Sequence, residues 1–243
     1  MMTLKKKHVK IRLYHSEGLL DSGAEVVLNS DKAHYVRDVM RAKTSDPVVL
    51  FDGVQGDWFC VISKISSRYV KVRVETLVRE YVASRELTLF ISLVKKEAMR
   101  NVVRQATEMG VTLIQLIRTE YSAAGQMSTD KLRTWAIEAA EQCGRHDIPV
   151  IPPVMAFREL HTLGKKLILC DETGGGQVPG KLLHGKSNVG VIIGPEGGFS
   201  RDELDYAATF SESMSLGSRV LRVDTAVVAA LAYVNEYCNF TEE

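Results

Sequence analysis

The chain has 243 residues, 45% hydrophobic and 25% charged, with a formal net charge of +1; that is the make-up of a globular protein with room for one large domain or two modest ones. No apolar run approaches the ~20 residues that cross a bilayer, and the basic start MMTLKKKHVKIRLYH lacks the apolar core of a secretory signal. Cys60, Cys143, Cys170 and Cys238 are too scattered for a zinc or redox motif, so free thiols in a reducing cytosol, no metal and no membrane are expected.

In chain order, residues 1–80 hold 14 Lys/Arg against 10 Asp/Glu, while the remainder hold 17 against 20. A mildly basic front on a near-neutral body fits contact with RNA, although surface lysines are mostly just solvated. HVKIRLYH (8–15) alternates in polarity, and DPVVLFDG (46–53), DWFCVISKI (57–65) and YVKVRVETLV (69–78) follow between Gly- and Ser-containing turns. Such short, regularly spaced strands predict a small barrel or sandwich, interrupted by one helix running from a Ser30 cap through His34, Val36, Val39 and Met40.

The pattern changes near Ser84-Arg85. Beyond it strands alternate with helices: ELTLFISLV, a helix over about Glu97–Met109 stopped by Gly110, LIQLI, and a long helix TDKLRTWAIEAAEQCG stopped by Gly144. A helix around Phe157–Leu163, the strand KLILCD, the loop ETGGGQVPG and the strand NVGVIIG come next. A helix from Ser200, a strand at Ser213–Leu216 and a helix over about Asp224–Tyr237 complete the chain. Alternation of this kind builds a parallel sheet covered by helices.

The stretch GVIIGPEGGFSRDEL (190–204) concentrates the chemistry. Gly190–Ile193 reads as a buried strand, and Ser200 with Glu203 forms a capping box that opens a helix. Between them Gly194, Pro195, Gly197 and Gly198 leave backbone open to close approach by something flat or anionic, or simply make a strand-to-helix turn that needs glycine. In an open α/β sheet ligands bind beyond the carboxyl ends of strands, which singles out the loops 171–176, 194–199 and 217–222. A phosphate-loop NTPase is excluded, because no GxxxxGK[ST] occurs and Glu196 would repel phosphate. A dinucleotide GxGxxG and a serine-hydrolase GxSxG are also absent. What survives is a cofactor with a neutral or positive centre, such as a sulfonium.

IGPEGGFS (193–200), LGSRVLRVDTA (216–226), EAAEQCGRHDIPVI (138–151) and LVKKEAMRNVVRQATEMGV (93–111) resemble the motifs of the RsmE family, and HYVRDVMRAKTSDPVVLFDGVQG resembles its front domain. These are ribosomal-RNA uridine N3-methyltransferases of the SPOUT superfamily. The resemblance implies a PUA-like RNA-binding β-barrel over residues 1–80 and a SPOUT α/β domain over 84–243, with a deep trefoil knot that binds S-adenosyl-methionine. It also implies a cytoplasmic homodimer acting on one uridine of 16S rRNA in the small ribosomal subunit.

Carried over residue by residue, the resemblance places Gly194, Pro195, Gly197, Leu216, Gly217 and Leu221 around the cofactor. Glu196 is a further candidate beside the cofactor, and Arg222 and Glu196 are the catalytic candidates. Two readings of Glu196 stand: a polar role near the sulfonium, or a structural acceptor for amides of its own turn. Arg222 stabilises the uracil oxygens or pairs with Asp224 or the partner subunit. Arg12, Arg37, Arg41 and Lys43 on the front domain, with Arg145, are the candidate phosphate contacts; Arg145 also suits a helix C-terminus. His34 and His146 read as ordinary histidines.

The sequence departs from the family pattern at Tyr121, where arginine is usual, at Gln105, where lysine is common, and at Asp224, where glutamate is usual. The rival readings are an RNA-binding ribosome-assembly factor without catalysis and a SPOUT enzyme with a different target.

Overall fold

A computed structural model describes residues 9–125, 127–164, 166–173 and 175–238; His8 of the first predicted strand and Gly174 of the glycine loop lie outside them. The chain divides into two compact units, Met1–Ala83 with Glu141–Asp147, and Ser84–Ala140 with Ile148–Glu243.

In the first unit, strands β1 (Arg12–Tyr14), β2 (Glu25–Asn29), β3 (Pro47–Phe51), β4 (Gly56–Ile65) and β5 (Tyr69–Glu80) form a curled half-barrel sheet in the order β1-β3-β4-β5-β2. β1 runs parallel to β3 and the other neighbours are antiparallel. Alternation sets the register: in β2 Val26 and Leu28 are buried while Glu25, Val27 and Asn29 are exposed, so a one-residue slip would expose the whole apolar set. These residues join Leu50, Ile62, Val70 and Val72 in one core.

Sequence reasoning missed β2, because EVVLN is short and flanked by polar residues. The helix after it also differs from expectation. Asn29, not Ser30, is the N-cap, without a side-chain cap bond, and α1 (Ser30–His34) continues as a π-helical turn over Tyr35–Val39.

The second unit carries a six-stranded, wholly parallel sheet in the order β11-β9-β10-β6-β7-β8. Its strands are β6 (Thr88–Ser92), β7 (Leu113–Arg118), β8 (Met155–Ala156), β9 (Lys166–Cys170), β10 (Val189–Ile193) and β11 (Ser211–Met214). Every residue of β6 and β10 is buried, as a sheet covered on both faces requires. Adjacent residues face opposite cores: Leu89, Ile91, Ile168, Val191 and Ile193 join one cluster, and Phe90, Leu167, Leu169 and Ile192 the other.

Helices α2 (Lys96–Glu108) and α6 (Val223–Tyr237) cover the first of these faces. In α2 Met99, Val102, Val103 and Ala106 recur at helical spacing on one buried stripe, and Gly110, at φ +87°, ends the run in the left-handed region. Asn235 on α6 donates to the Met109 carbonyl at 3.0 Å, fastening the two helices. α3 (Thr129–Cys143) buries Leu132, Trp135 and Ala136. Two further helices are α4 (Pro179–Leu183), which begins inside the predicted loop ETGGGQVPG, and α5 (Arg201–Ala207). No helix among the described residues is long and apolar enough to cross a membrane.

Candidate functional site

β9, β10 and β11 are neighbours in the sheet, so the loops leaving their carboxyl ends converge. They line an open cleft. Cys170, Asp171 and Glu172 line it from the end of β9, and Ile193, Gly194, Pro195, Gly198 and Phe199 from the end of β10. Leu216, Gly217, Arg219 and Leu221 follow β11, and Val223 and Ala226 open α6.

The β10 turn explains the glycines. Gly198, at φ +71°, donates to the Pro195 carbonyl at 3.0 Å, and a Cβ there would overlap the Glu172 carboxylate. A Cβ on Gly194 would lie 2.8 Å from the Phe199 ring, which is held beside Phe157 with ring centroids 5.5 Å apart. α5 begins with the predicted capping box: Ser200 Oγ accepts from the Glu203 amide at 3.4 Å, and Glu203 Oε2 accepts from the Ser200 amide at 3.0 Å. The other Glu203 oxygen accepts from the Glu120 amide at 2.9 Å, which fixes the loop after β7 to this turn.

Of the residues expected around a cofactor, Gly194, Pro195, Leu216, Gly217 and Leu221 come together on the cleft wall. Glu196 and Gly197 are exposed and do not line it, and Glu196 makes no hydrogen bond to the described residues, so it is not the amide acceptor of its turn. The carboxylates on the wall belong instead to Asp171 and Glu172. Sequence reasoning had named their loop without choosing a residue, although their place directly after a buried strand was the available signal. Asp171 is braced by the Thr173 amide at 2.8 Å and hydroxyl at 2.7 Å. Burial pushes the Cys170 thiol well above its ordinary pKa, so this cleft cysteine stays protonated and inert.

Arg222 is the exposed N-cap of α6, between the cleft residues Leu221 and Val223. Asp224 does not pair with it; its carboxylate accepts from Asn101 Nδ2 at 3.1 Å and from the Thr225 amide at 3.0 Å. Arg219, in the predicted loop 217–222 but not among the candidate residues, lines the cleft.

The candidate phosphate contacts separate by accessibility. Arg41 and Lys43 are exposed on the turn before β3. Arg37 donates to Asp38 and to the Ser66 and Ser67 carbonyls, and this guanidinium holds the Asp38 carboxyl down at about 2. Arg12 and Arg145 are spent internally, a correction to their expected role. The Arg12 side chain, 14% exposed, donates to Asp57 at 2.8 Å and to the Arg145 carbonyl at 2.8 Å, and lies 3.6 Å over the Phe51 ring. The Arg145 side chain, 9% exposed, pairs with Asp147 at 2.5 Å. The sequence carried no sign of this, since Asp57 lies 45 residues from Arg12.

His146 belongs to the same cluster. Its Nδ1 accepts from the Val82 amide at 3.3 Å, which puts the proton on Nε2, 3.6 Å from Asp57 Oδ1. Burial, then Arg79, lowers its pKa below 6.5, and burial lowers that of His15. Just below 6.5 the unfolded chain therefore takes up protons that the folded one refuses. The share of the first unit's stability that these two histidines govern is expected to be whole above about pH 6.5 and to fall away as pH drops below that value. Urea midpoints of a Trp135→Phe variant, read through Trp58, check this between about pH 7.5 and 5.5; a His15→Gln/His146→Gln variant should flatten the dependence.

With this geometry in place, comparison with known proteins decides the family. A family model described as an RNA methyltransferase domain matches residues 82–235, and one described as an RNA methyltransferase PUA domain matches residues 28–75. The chain belongs to the RsmE family of RNA methyltransferases. A family relative from Rickettsia conorii named ribosomal RNA small subunit methyltransferase E is 28% identical over 240 residues, covering 96% of this chain and 98% of its own length. A Synechocystis protein of the same name is 29% identical over 223 residues, covering 87% and 73%. A Legionella pneumophila protein solved with the bound cofactor SAM superposes with a TM-score of 0.84 at 27% identity, over 93% of this chain and 97% of that one. The first unit is thus PUA-like and the second is the methyltransferase fold of the family.

Proposed function

We propose that this protein transfers a methyl group from S-adenosyl-methionine to N3 of one uridine in 16S ribosomal RNA of the small subunit, working as a cytoplasmic homodimer. The observation that carries the reading is the cleft at the ends of β9, β10 and β11, in a chain akin almost end to end to small-subunit rRNA methyltransferases. The reading includes a deep trefoil knot within residues 84–243 and a domain boundary between residues 80 and 84.

The residues present suit the cofactor. Leu216, Leu221, Val223 and Ala226 offer an apolar wall for a flat adenine, and the glycine turn brings backbone groups close. Asp171 and Glu172 bring negative charge to the same wall, which favours a cationic ligand over a phosphate. When bound, S-adenosyl-methionine would supply an electrophilic methyl group, its methyl–sulfur bond breaking to leave the neutral thioether S-adenosyl-homocysteine. The chain's own work is to orient the uracil and manage charge. Uracil N3–H is a weakly acidic imide whose proton leaves to solvent as the new N–C bond forms, and Arg222 stabilises the negative charge that gathers on the flanking carbonyl oxygens. Positioning is the larger effect, able to supply about 7–11 kcal/mol. Arg41 and Lys43 on the first unit are the favoured phosphate contacts, with Arg37 partly available.

Gly176 provides a test of the cleft wall. A Cβ there would lie 2.5 Å from the Ser215 amide nitrogen and 2.9 Å from the Met214 Cα, both backbone atoms that cannot rotate away. The loop would have to leave β11 and lose the Gln177–Ser213 and Ser215–Gln177 backbone bonds of 2.8 and 3.0 Å. At about 1 kcal/mol for each, Gly176→Ala is expected to weaken S-adenosyl-methionine binding roughly tenfold or more by calorimetry.

The deciding experiment supplies labelled S-adenosyl-methionine and unmethylated small ribosomal subunits, then maps the product by mass spectrometry. A single N3-methyluridine in 16S rRNA is expected. Transfer to a ribose oxygen or to a different RNA, or cofactor binding without transfer, would overturn the reading.

A further inference from the structure

Tyr121 is an aromatic residue 52% exposed to solvent, and singly exposed aromatics are ordinary. Its mounting is not. An added Cβ on Gly197, in the turn whose neighbouring residues line the cleft, would meet Tyr121 Cβ at 3.1 Å and Cγ at 3.7 Å. Gly197 is thus the seat on which the root of the ring rests, although its φ lies outside the left-handed region that would itself demand glycine.

The loop carrying the ring is tied down on every side. Ser122 Oγ accepts from the Thr119 amide at 2.8 Å and meets the Thr119 hydroxyl at 2.9 Å. Ser92, fully buried at the end of β6, meets both hydroxyls. The Ala123 amide donates to the Leu93 carbonyl at 2.8 Å, and Glu203 clamps the Glu120 amide from the α5 cap. A loop held by these bonds therefore carries a half-exposed aromatic side chain beside Gly197, whose neighbour Gly198 lines the cleft, at the carboxyl edge of the sheet where ligands approach.

From this placement we infer that Tyr121 is a substrate-positioning residue: the target base, or the base beside it, stacks on its ring when the nucleotide is drawn out of the RNA toward the cleft. A planar π face suits an unstacked base and tolerates any sequence, and a pre-ordered ring loses little freedom on binding. The hydroxyl cluster and the Glu203 clamp serve to hold the backbone on either side of Tyr121 in place. The inference rests on the proposed methyl transfer to RNA.

The test measures two things on the full chain with unmethylated small subunits: the affinity of the cofactor-saturated protein for the subunits, and the KM and kcat of transfer, with S-adenosyl-methionine affinity as the control. Tyr121→Leu is expected to weaken subunit affinity and raise KM about tenfold or more while leaving cofactor affinity unchanged. Tyr121→Phe should behave like the parent, since the ring face and not the hydroxyl is used. Subunit affinity and KM unchanged in Tyr121→Leu would overturn the inference, as would a Tyr121→Phe loss equal to that of leucine. A matching loss of cofactor affinity would overturn it too, by making the residue a support of the cleft. The unaltered protein separates the two levels: subunit binding sensitive to Tyr121→Leu without N3 methylation defeats the proposed reaction alone, and no subunit binding at all defeats both.

Discussion

Arg222→Ala is expected to slow methyl transfer about 100- to 1,000-fold in single turnover, the usual cost of removing one donor aimed at developing negative charge. The residue stands as N-cap of α6 with its neighbours on both sides in the cleft wall, and the N-terminal end of that helix adds partial positive charge of its own. Asp224, the nearest sequence candidate for a salt bridge, is already engaged by Asn101, which leaves the guanidinium available to substrate. Affinity for S-adenosyl-methionine should stay within about twofold, because the side chain is exposed and the cleft contacts come from Leu221 and Val223. Arg222→Lys should recover only part of the rate, as it restores the charge without the planar fork. An unchanged single-turnover rate in Arg222→Ala would remove the residue from the mechanism.

The second large effect concerns stability. Asp57 is 11% exposed at its side chain and faces Arg12, Arg79 and His146. Asp57→Ala takes its carboxylate partner from the buried Arg12 guanidinium, which keeps the Arg145 carbonyl and the Phe51 ring among its contacts. Removing one member of a buried ion pair costs about 3–5 kcal/mol; the lower end is expected here, because Arg79, 48% exposed, can turn to water. Urea unfolding followed through Trp58 in a Trp135→Phe background would report the loss in the first unit. A change below about 1 kcal/mol would mean that the cluster is worth no more than a surface pair.

The parallel sheet of the second unit was readable because its signals are local. Uniformly apolar strands such as GVIIG, helical stripes such as Met99–Val102–Val103–Ala106, and the Ser200–Glu203 box each act within a few residues. β2 and α4 were missed because five-residue elements flanked by polar or glycine-rich sequence carry too few positions to form a pattern.

The site divides the same way. Sequence alone determined where the candidate site lies, since a glycine turn between a buried strand and a capped helix has to lie at the carboxyl edge of the sheet. Only the tertiary structure decided which charges do what. Glu196 and Glu172 are both acidic loop residues in sequence, yet the crossing of β9 beside β10 puts Glu172 on the cleft wall and leaves Glu196 in solvent. Arg12 and Arg41 read as equal basic residues, yet a carboxylate 45 positions from Arg12 claims its guanidinium, while Arg41 stays exposed. The reason is physical: backbone geometry and apolar periodicity are written into neighbouring residues, whereas the fate of a charge depends on partners and solvent that only folding brings within reach.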